Sequence, residues 1–240
     1  MTAARLAVVA GASGAIGSAV TSQLAEAGWS VIATYRKQQP DPIHGVTWVR
    51  FDGTRDDETE QLRTAIQAAL RPVSAIICCI GAPSSKRRIA DTPGAEFDAV
   101  FASNVTAVVR FWQIVGHSAR VGKAGVVVLG SSATETLRPG NGAYSAAKAG
   151  LEALVATLAV EEAEHGVRVN LVAPSLVDSP LAESILALKG VTDPVAYYQA
   201  LPWGRALTTD EVASVAIDIA TTPHWRYASG QVVRLAVRGE

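Results

Sequence analysis

The amino-acid sequence predicts an α/β fold: one domain built on a doubly wound, seven-stranded parallel sheet with helices on both faces. Three observations carry this expectation. Apolar runs of strand length alternate with longer stretches whose apolar residues recur at a spacing of about 3.6. Of the 240 residues 49% are hydrophobic and 18% charged, a composition suited to a sheet covered on both sides. No Pro/Gly/Ser-rich linker, repeat or low-complexity segment divides the chain, and α/β folds of this length are commonly one unit.

The elements follow one another along the chain. The apolar run at residues 6–10 is the first strand, and 15–27, with helix-forming residues and helical apolar spacing, the first helix. Runs at 31–35 and 46–51 are the next strands, then comes a helix over 57–70. The strand at 75–79 leads to a long helix over 97–120, and the strand at 125–129 to another over 143–165. After the strand at 168–172 the chain turns irregular over 174–205, where Pro174, Pro180, Pro194 and Pro202 fall; this segment reads as a mobile lid. A helix over 210–221 and a strand over 231–236 close the pattern. Right-handed crossovers between parallel strands then put ligands at the C-terminal edge of the sheet.

With 21 basic against 22 acidic side chains the net charge is -1, which supplies no general attraction to nucleic acid or anionic membrane. A small-molecule partner is the default. Cys78 and Cys79 are adjacent in an apolar strand and cannot staple distant segments. Residues 1–9 lack the pattern of a secretory signal, and no apolar run approaches the roughly 18 residues of a membrane helix, so a cytoplasmic setting is expected. No metal-ligand set is read.

Gly11-Ala12-Ser13-Gly14-Ala15-Ile16-Gly17 follows the first strand directly and opens a helix, where backbone N–H groups and the helix dipole receive a pyrophosphate. Gly11 permits the tight turn, Gly14 or Ala15 the approach of the phosphates, and Gly17 close packing of helix on sheet. At the end of the second strand, Thr34-Tyr35-Arg36-Lys37 presents two cations where a site for NAD carries an acid. This favours NADP(H) over NAD(H), since a guanidinium engages the 2′-phosphate; a solvated turn is the alternative. Asp52-Gly53 is placed either to bind adenine or simply to start a turn.

In Gly142-Ala143-Tyr144-Ser145-Ala146-Ala147-Lys148 the tyrosine and lysine stand four residues apart and share one helix face. An ammonium beside a phenol favours the phenolate, which makes Tyr144 a usable proton donor. Thirteen residues earlier Ser131 ends a strand, and its hydroxyl is placed to hold a substrate carbonyl, with Ser132 as its competitor. Lys86-Arg87-Arg88 either reaches an anionic substrate or forms a solvated loop. Trp112, Trp203 and Trp225 are not assigned by their spacing, and Trp203 is the substrate contact most to be expected of them.

Residues 11–17, Asn104-Val105, Gly130-Ser131, Tyr144-Ser145-Ala146-Ala147-Lys148 and Val169-Asn170-Leu171-Val172-Ala173-Pro174 together resemble the single-domain short-chain dehydrogenases/reductases, in the 3-oxoacyl-(acyl-carrier-protein) reductase-like branch. Leu201-Pro202-Trp203-Gly204-Arg205 and Ser229-Gly230-Gln231 extend the resemblance over the whole chain. It implies a Rossmann-type fold and reduction of a ketone or aldehyde, or oxidation of the alcohol, with Ser131, Tyr144, Lys148 and Asn104 as catalytic residues. Lys148 also bonds the nicotinamide ribose, and Asn104 holds a water that connects Lys148 to solvent. The segment after Pro174 covers the nicotinamide, with the Val177 backbone at the carboxamide and Ser179 where the family has threonine. Homodimers or tetramers built on the two long helices are implied as well.

The sequence departs from the family in four places. Cys78-Cys79-Ile80-Gly81 keeps only the glycine of the usual Asn-Asn-Ala-Gly; Gly14 gives the turn a spacing seen in the epimerase-like branch; Ser175 replaces a glycine; and the end of the chain lacks Asp-Gly-Gly. These motivate two rival readings, a non-catalytic NADP(H) sensor or scaffold and an epimerase or dehydratase on a nucleotide-linked sugar.

Overall fold

Strand β1 (Leu6–Ala10) is buried at every residue, with Leu6, Val8 and Ala10 in one apolar layer and Ala7 and Val9 in the other. The same two-sided burial recurs in β4 (Val73–Cys78) apart from Ser74, in β5 (Gly125–Leu129), and in β6 (Arg168–Pro174) from its second residue on. These strands have no solvent face and therefore need helices on both sides. A computed structural model, which describes residues 5–55, 59–188 and 190–237, supplies them. Helices α1 (Ala15–Glu26) and α8 (Thr209–Thr221) cover one face through Val20, Leu24, Val212, Ala216 and Ile219. Helices α2 (Glu60–Ala68), α4 (Ala107–Gly122) and α5 (Gly142–Glu161) cover the other through Leu62, Phe111, Val115, Leu151 and Val155.

With β2 (Ser30–Tyr35), β3 (Val46–Arg50) and β7 (Val232–Leu235), the sheet has seven strands in the order β3-β2-β1-β4-β5-β6-β7. All neighbours are parallel. Strand order reverses between β1 and β4, and a crevice opens there at the C-terminal ends.

Several boundaries differ from expectation. β4 begins two residues early, because Val73 pairs with Leu6 across a register shift. The helix expected over 57–70 is seen as α2; its first residues, Asp57 and Glu58, lie outside the described residues, as do Arg238, Gly239 and Glu240 at the end of the chain. The long helix expected over 97–120 is α3 (Gly94–Phe101), then a π-helical turn (Ala102–Thr106), then α4. Its stretch Gly94–Gly122, like Gly142–Glu161, has the length and hydropathy of a membrane-crossing helix, and both bury apolar residues on the sheet.

The segment read as irregular over 174–205 holds two helices, α6 (Pro180–Leu188) and α7 (Pro194–Gln199). Pro180 and Pro194 head these helices rather than breaking them, since a proline lacks only an N–H that is unpaired there anyway. The base of the excursion is pinned: Val177 bridges Leu207, Asp178 N donates to Leu207 O at 2.7 Å, and Leu207 N donates to Leu176 O at 3.0 Å.

Candidate active site

The turn after β1 shows why glycines stand where they do. Gly11 has φ +70, in the left-handed region, and its N–H donates to Thr34 Oγ1 at 3.0 Å. A Cβ on Gly17 would lie 2.2 Å from Gly11 O, so α1 closes on the turn only with glycine at this position. Gly14 is the N-cap of α1 and brings no side chain to the helix terminus, and the first turn carries no acid. The positive end of the helix is thus left for an external anion, as a pyrophosphate requires.

Two cavities flank this terminus. The first, about 270 Å³, is lined by Gly11, Ser13, Gly14, Tyr35, Arg36, Asp52, Gly53 and Gly81, all expected at the cofactor, and by Thr34, which the sequence reading missed although it is the polar residue of β2 facing the turn. Arg36 is exposed at the rim, with its carbonyl accepting from Arg50 Nε at 3.3 Å, while Lys37 does not line the cavity. Asp52 Oδ1 accepts from Thr54 N at 3.0 Å and Thr54 Oγ1 at 2.7 Å, so this aspartate closes a turn at the wall of the cavity. Burial alone would raise its pKa, but the Thr54 hydroxyl and amide and the charges of Arg36 and Arg55 hold it lowered. Gly53 lets the end of β3 touch α4, since a Cβ there would sit 2.7 Å from Ala107 Cβ.

The second cavity, about 240 Å³, is lined by Ile16, Ser131, Ser132, Tyr144, Pro174, Val177 and Ser179, among others. Ser131 caps the 3₁₀ turn Ser132–Thr134, its Oγ accepting from Ala133 N at 3.2 Å, which fixes the hydroxyl at the end of β5. Tyr144 lies in the first turn of α5, and Lys148, 4% exposed, lies one turn on. Lys148 Nζ donates to Leu129 O at 3.0 Å and sits 5.8 Å from the Tyr144 ring centroid. Gly81 forms the cover over this ammonium, because a Cβ there would meet Asn104 Oδ1 at 2.9 Å and Lys148 Nζ at 3.1 Å.

Asn104 is fully buried in the π-helical turn, a distortion frequent at functional sites. Its Nδ2 donates to Ala82 O at 2.9 Å and Val100 O at 2.8 Å, and its Oδ1 accepts from Ala82 N at 3.3 Å. The side chain therefore holds the strand β4 exit in place beside Lys148. Ser179 Oγ donates to Val177 O at 3.1 Å and accepts from Ala182 N at 3.3 Å, fixing the entry to α6. Burial pushes the Cys78 thiol up to about 11 and the Cys79 thiol up as well.

Ala15 and Gly17 line neither cavity, and Trp203 is exposed and touches neither; Tyr197 and Leu201 supply the wall expected of it. Of Lys86-Arg87-Arg88, only Lys86 faces the second cavity. Arg138 and Asn141 also line it and were not singled out from the sequence, where Asn141 sits immediately before the Tyr144 motif and Arg138 has no local pattern to mark it.

An uncapped helix terminus with a cavity on each side fits a dinucleotide whose phosphates rest on α1, and a phenol, a hydroxyl and a buried ammonium at the far end suit proton transfer to a carbonyl oxygen. The family profile described as Enoyl-(Acyl carrier protein) reductase matches residues 10–235. A cis-4-hydroxycyclohexanecarboxylate dehydrogenase of Sinomonas cyclohexanicum is 29% identical over 226 residues, covering 90% of this chain and 89% of that protein. A galactitol 2-dehydrogenase of Rhizobium johnstonii is 30% identical over 229 residues, covering 90% and 87%. The crystal structure of a short chain dehydrogenase/reductase family oxidoreductase from Burkholderia thailandensis superposes with a TM-score of 0.83 at 25% identity, covering 98% of this chain and 92% of that one. The chain is accordingly an oxidoreductase that binds a nicotinamide cofactor, and it belongs to the short-chain dehydrogenase/reductase family.

Proposed function

We propose that the enzyme interconverts a ketone or aldehyde and the corresponding alcohol, with NADP(H) as its cofactor. The observation that carries this reading is Tyr144 in one cavity with Ser131, one helical turn from an ammonium anchored on Leu129 O. When bound, the reduced nicotinamide supplies hydride to the carbonyl carbon. Ser131 holds the carbonyl oxygen, and Tyr144 delivers its phenolic proton to that oxygen as the C=O π bond opens, so that C–H and O–H bonds form and NADP⁺ is left. Lys148 stabilises the phenolate that remains, and Asn104 positions Lys148 through Gly81 and Ala82. The reverse oxidation uses the same groups in the opposite order.

Arg36 engages the 2′-phosphate, Asp52 and Gly53 flank the adenine, and Val177 and Ser179 lie at the nicotinamide, with residues 174–205 as the substrate lid. The names of the Sinomonas and Rhizobium relatives are those of dehydrogenases of hydroxylated compounds, in keeping with alcohol/carbonyl chemistry. Tyr144→Phe is expected to lower NADPH-dependent turnover of a carbonyl panel by about a hundredfold to ten-thousandfold while NADPH binding, followed by fluorescence, persists. Turnover at the wild-type rate would remove Tyr144 from the chemistry.

A further inference from the structure

The cavity at Tyr144 has an uneven wall. It is lined by the hydrocarbon of Leu176, Leu181, Ile185 and Leu201 and by the cations Lys86 and Arg138, and no aspartate or glutamate is among its described lining residues. Lys86 is half-buried, and its backbone is held at φ +65, a left-handed conformation that costs a lysine about 1 kcal/mol or more and persists only where the surroundings enforce it. The enforcement is visible. Gly140 packs against the Lys86 carbonyl so closely that a Cβ there would lie 2.5 Å from that oxygen, and Lys86 Nζ donates to Asn141 Oδ1. The result is that the first residue of a three-cation run turns inward while Arg87 and Arg88 stay exposed.

Lys86 Nζ comes within 5.7 Å of the Tyr144 ring centroid, almost the same separation as Lys148 on its own side. Arg138, at the cavity mouth, makes no side-chain hydrogen bond or ion pair among the described residues. An arginine fork without an acceptor among the described residues, lining the same cavity as an ammonium and four aliphatic side chains, matches a compact hydrocarbon body that ends in a planar anion.

We infer that the substrate is an oxo acid or hydroxy acid whose carboxylate is held by Lys86 and Arg138, a few carbons from the carbonyl at Tyr144. This rests on the carbonyl-reductase reading above and names the substrate class of that site. A carboxylate bound there is fixed at one end, so the reacting carbon is oriented by charge at the mouth and by hydrocarbon contact along the trough.

The test compares acetoacetate and levulinate with their methyl esters, by kcat/KM with NADPH and by calorimetric binding with and without NADP⁺. It uses the wild type, Lys86→Met, Arg138→Met and Arg138→Glu. The wild type is expected to favour the acids by tenfold or more, the two methionine variants to bring that ratio close to one, and Arg138→Glu to invert it. Equal handling of acid and ester by the wild type, or a ratio the variants leave unchanged, would overturn the inference while turnover of the esters kept the hydride-transfer reading. Selective binding of the acids without any turnover would sustain the anion site and sink the carbonyl-reductase reading instead. If neither acid nor ester is bound or reduced, the inference falls. The wild-type comparison stands even where a variant does not fold.

Discussion

A lysine that is 4% exposed needs an acceptor, because a buried ammonium without one is strongly unfavourable. Lys148 has Leu129 O, and a side chain at Gly81 would crowd both its Nζ and Asn104 Oδ1. The spacing of Tyr144 and Lys148 announced this pair in the sequence, since four residues on a helix always share a face. Arg138 could not be announced in this way. An arginine in a loop carries no periodicity, and only the folded backbone shows that it borders the same cavity as Ser131. Arg36 is the residue whose role is most directly measurable. Arg36→Asp is expected to weaken NADPH binding by about tenfold to a hundredfold, the worth of a charge-assisted hydrogen bond, and to shift preference towards NADH in a fluorescence titration. Unchanged NADPH affinity would make Arg36 a solvated turn residue.

At the level of elements, strands and long helices were legible because period 2 and period 3.6 patterns are strong over their length. The π-helical turn was not, since Ala102-Ser103-Asn104-Val105-Thr106 contains no glycine or proline to mark it. The helices α6 and α7 were hidden by prolines that read as breakers and act as starters. Gly17→Ala would force a methyl to within 2.2 Å of the Gly11 carbonyl, so loss of nicotinamide binding and a lower melting temperature are expected together.

A second element-level contact joins α4 to the end of α5. Arg120 Nε and Nη2 donate to Glu162 Oε2 and Oε1 at 2.8 and 2.6 Å, with the Glu162 side chain 1% exposed. Arg120→Ala should cost about 2 kcal/mol in urea unfolding at neutral pH, below the roughly 3–5 of a fully buried pair because Arg120 is half exposed. The bonds from Arg120, against the effect of burial, hold the Glu162 carboxyl below the ordinary glutamate range. A depressed carboxylate contributes stability above its unfolded value and loses it as the pH falls through the folded one. The gap between wild type and variant is therefore expected to shrink on acidification, and a gap that grew would refute the assignment.

For the whole molecule, the two cavities lie at the C-terminal edge, on either side of the α1 terminus, where the strand order reverses. That placement followed from the alternation of strands and helices alone. The wall of the Tyr144 cavity did not, because much of it depends on how residues 174–205 fold back. The apolar surface left on the long helices, with Phe101 and Val160 exposed, supports a homodimer or tetramer. Light scattering at micromolar concentration is expected to give a multiple of 25.0 kDa, and a mass of one chain would count against it.

The pinned base at Val177 and Leu207 has a consequence for how such an enzyme diversifies. The excursion leaves and returns through one small bridge, so its sequence can be exchanged without disturbing the strand ladder or the phosphate turn. A different 178–206 grafted onto this frame is expected to change the part of the cavity wall that Leu181, Ile185, Tyr197 and Leu201 supply and to leave Lys86, Ser131, Arg138 and Tyr144 where they are.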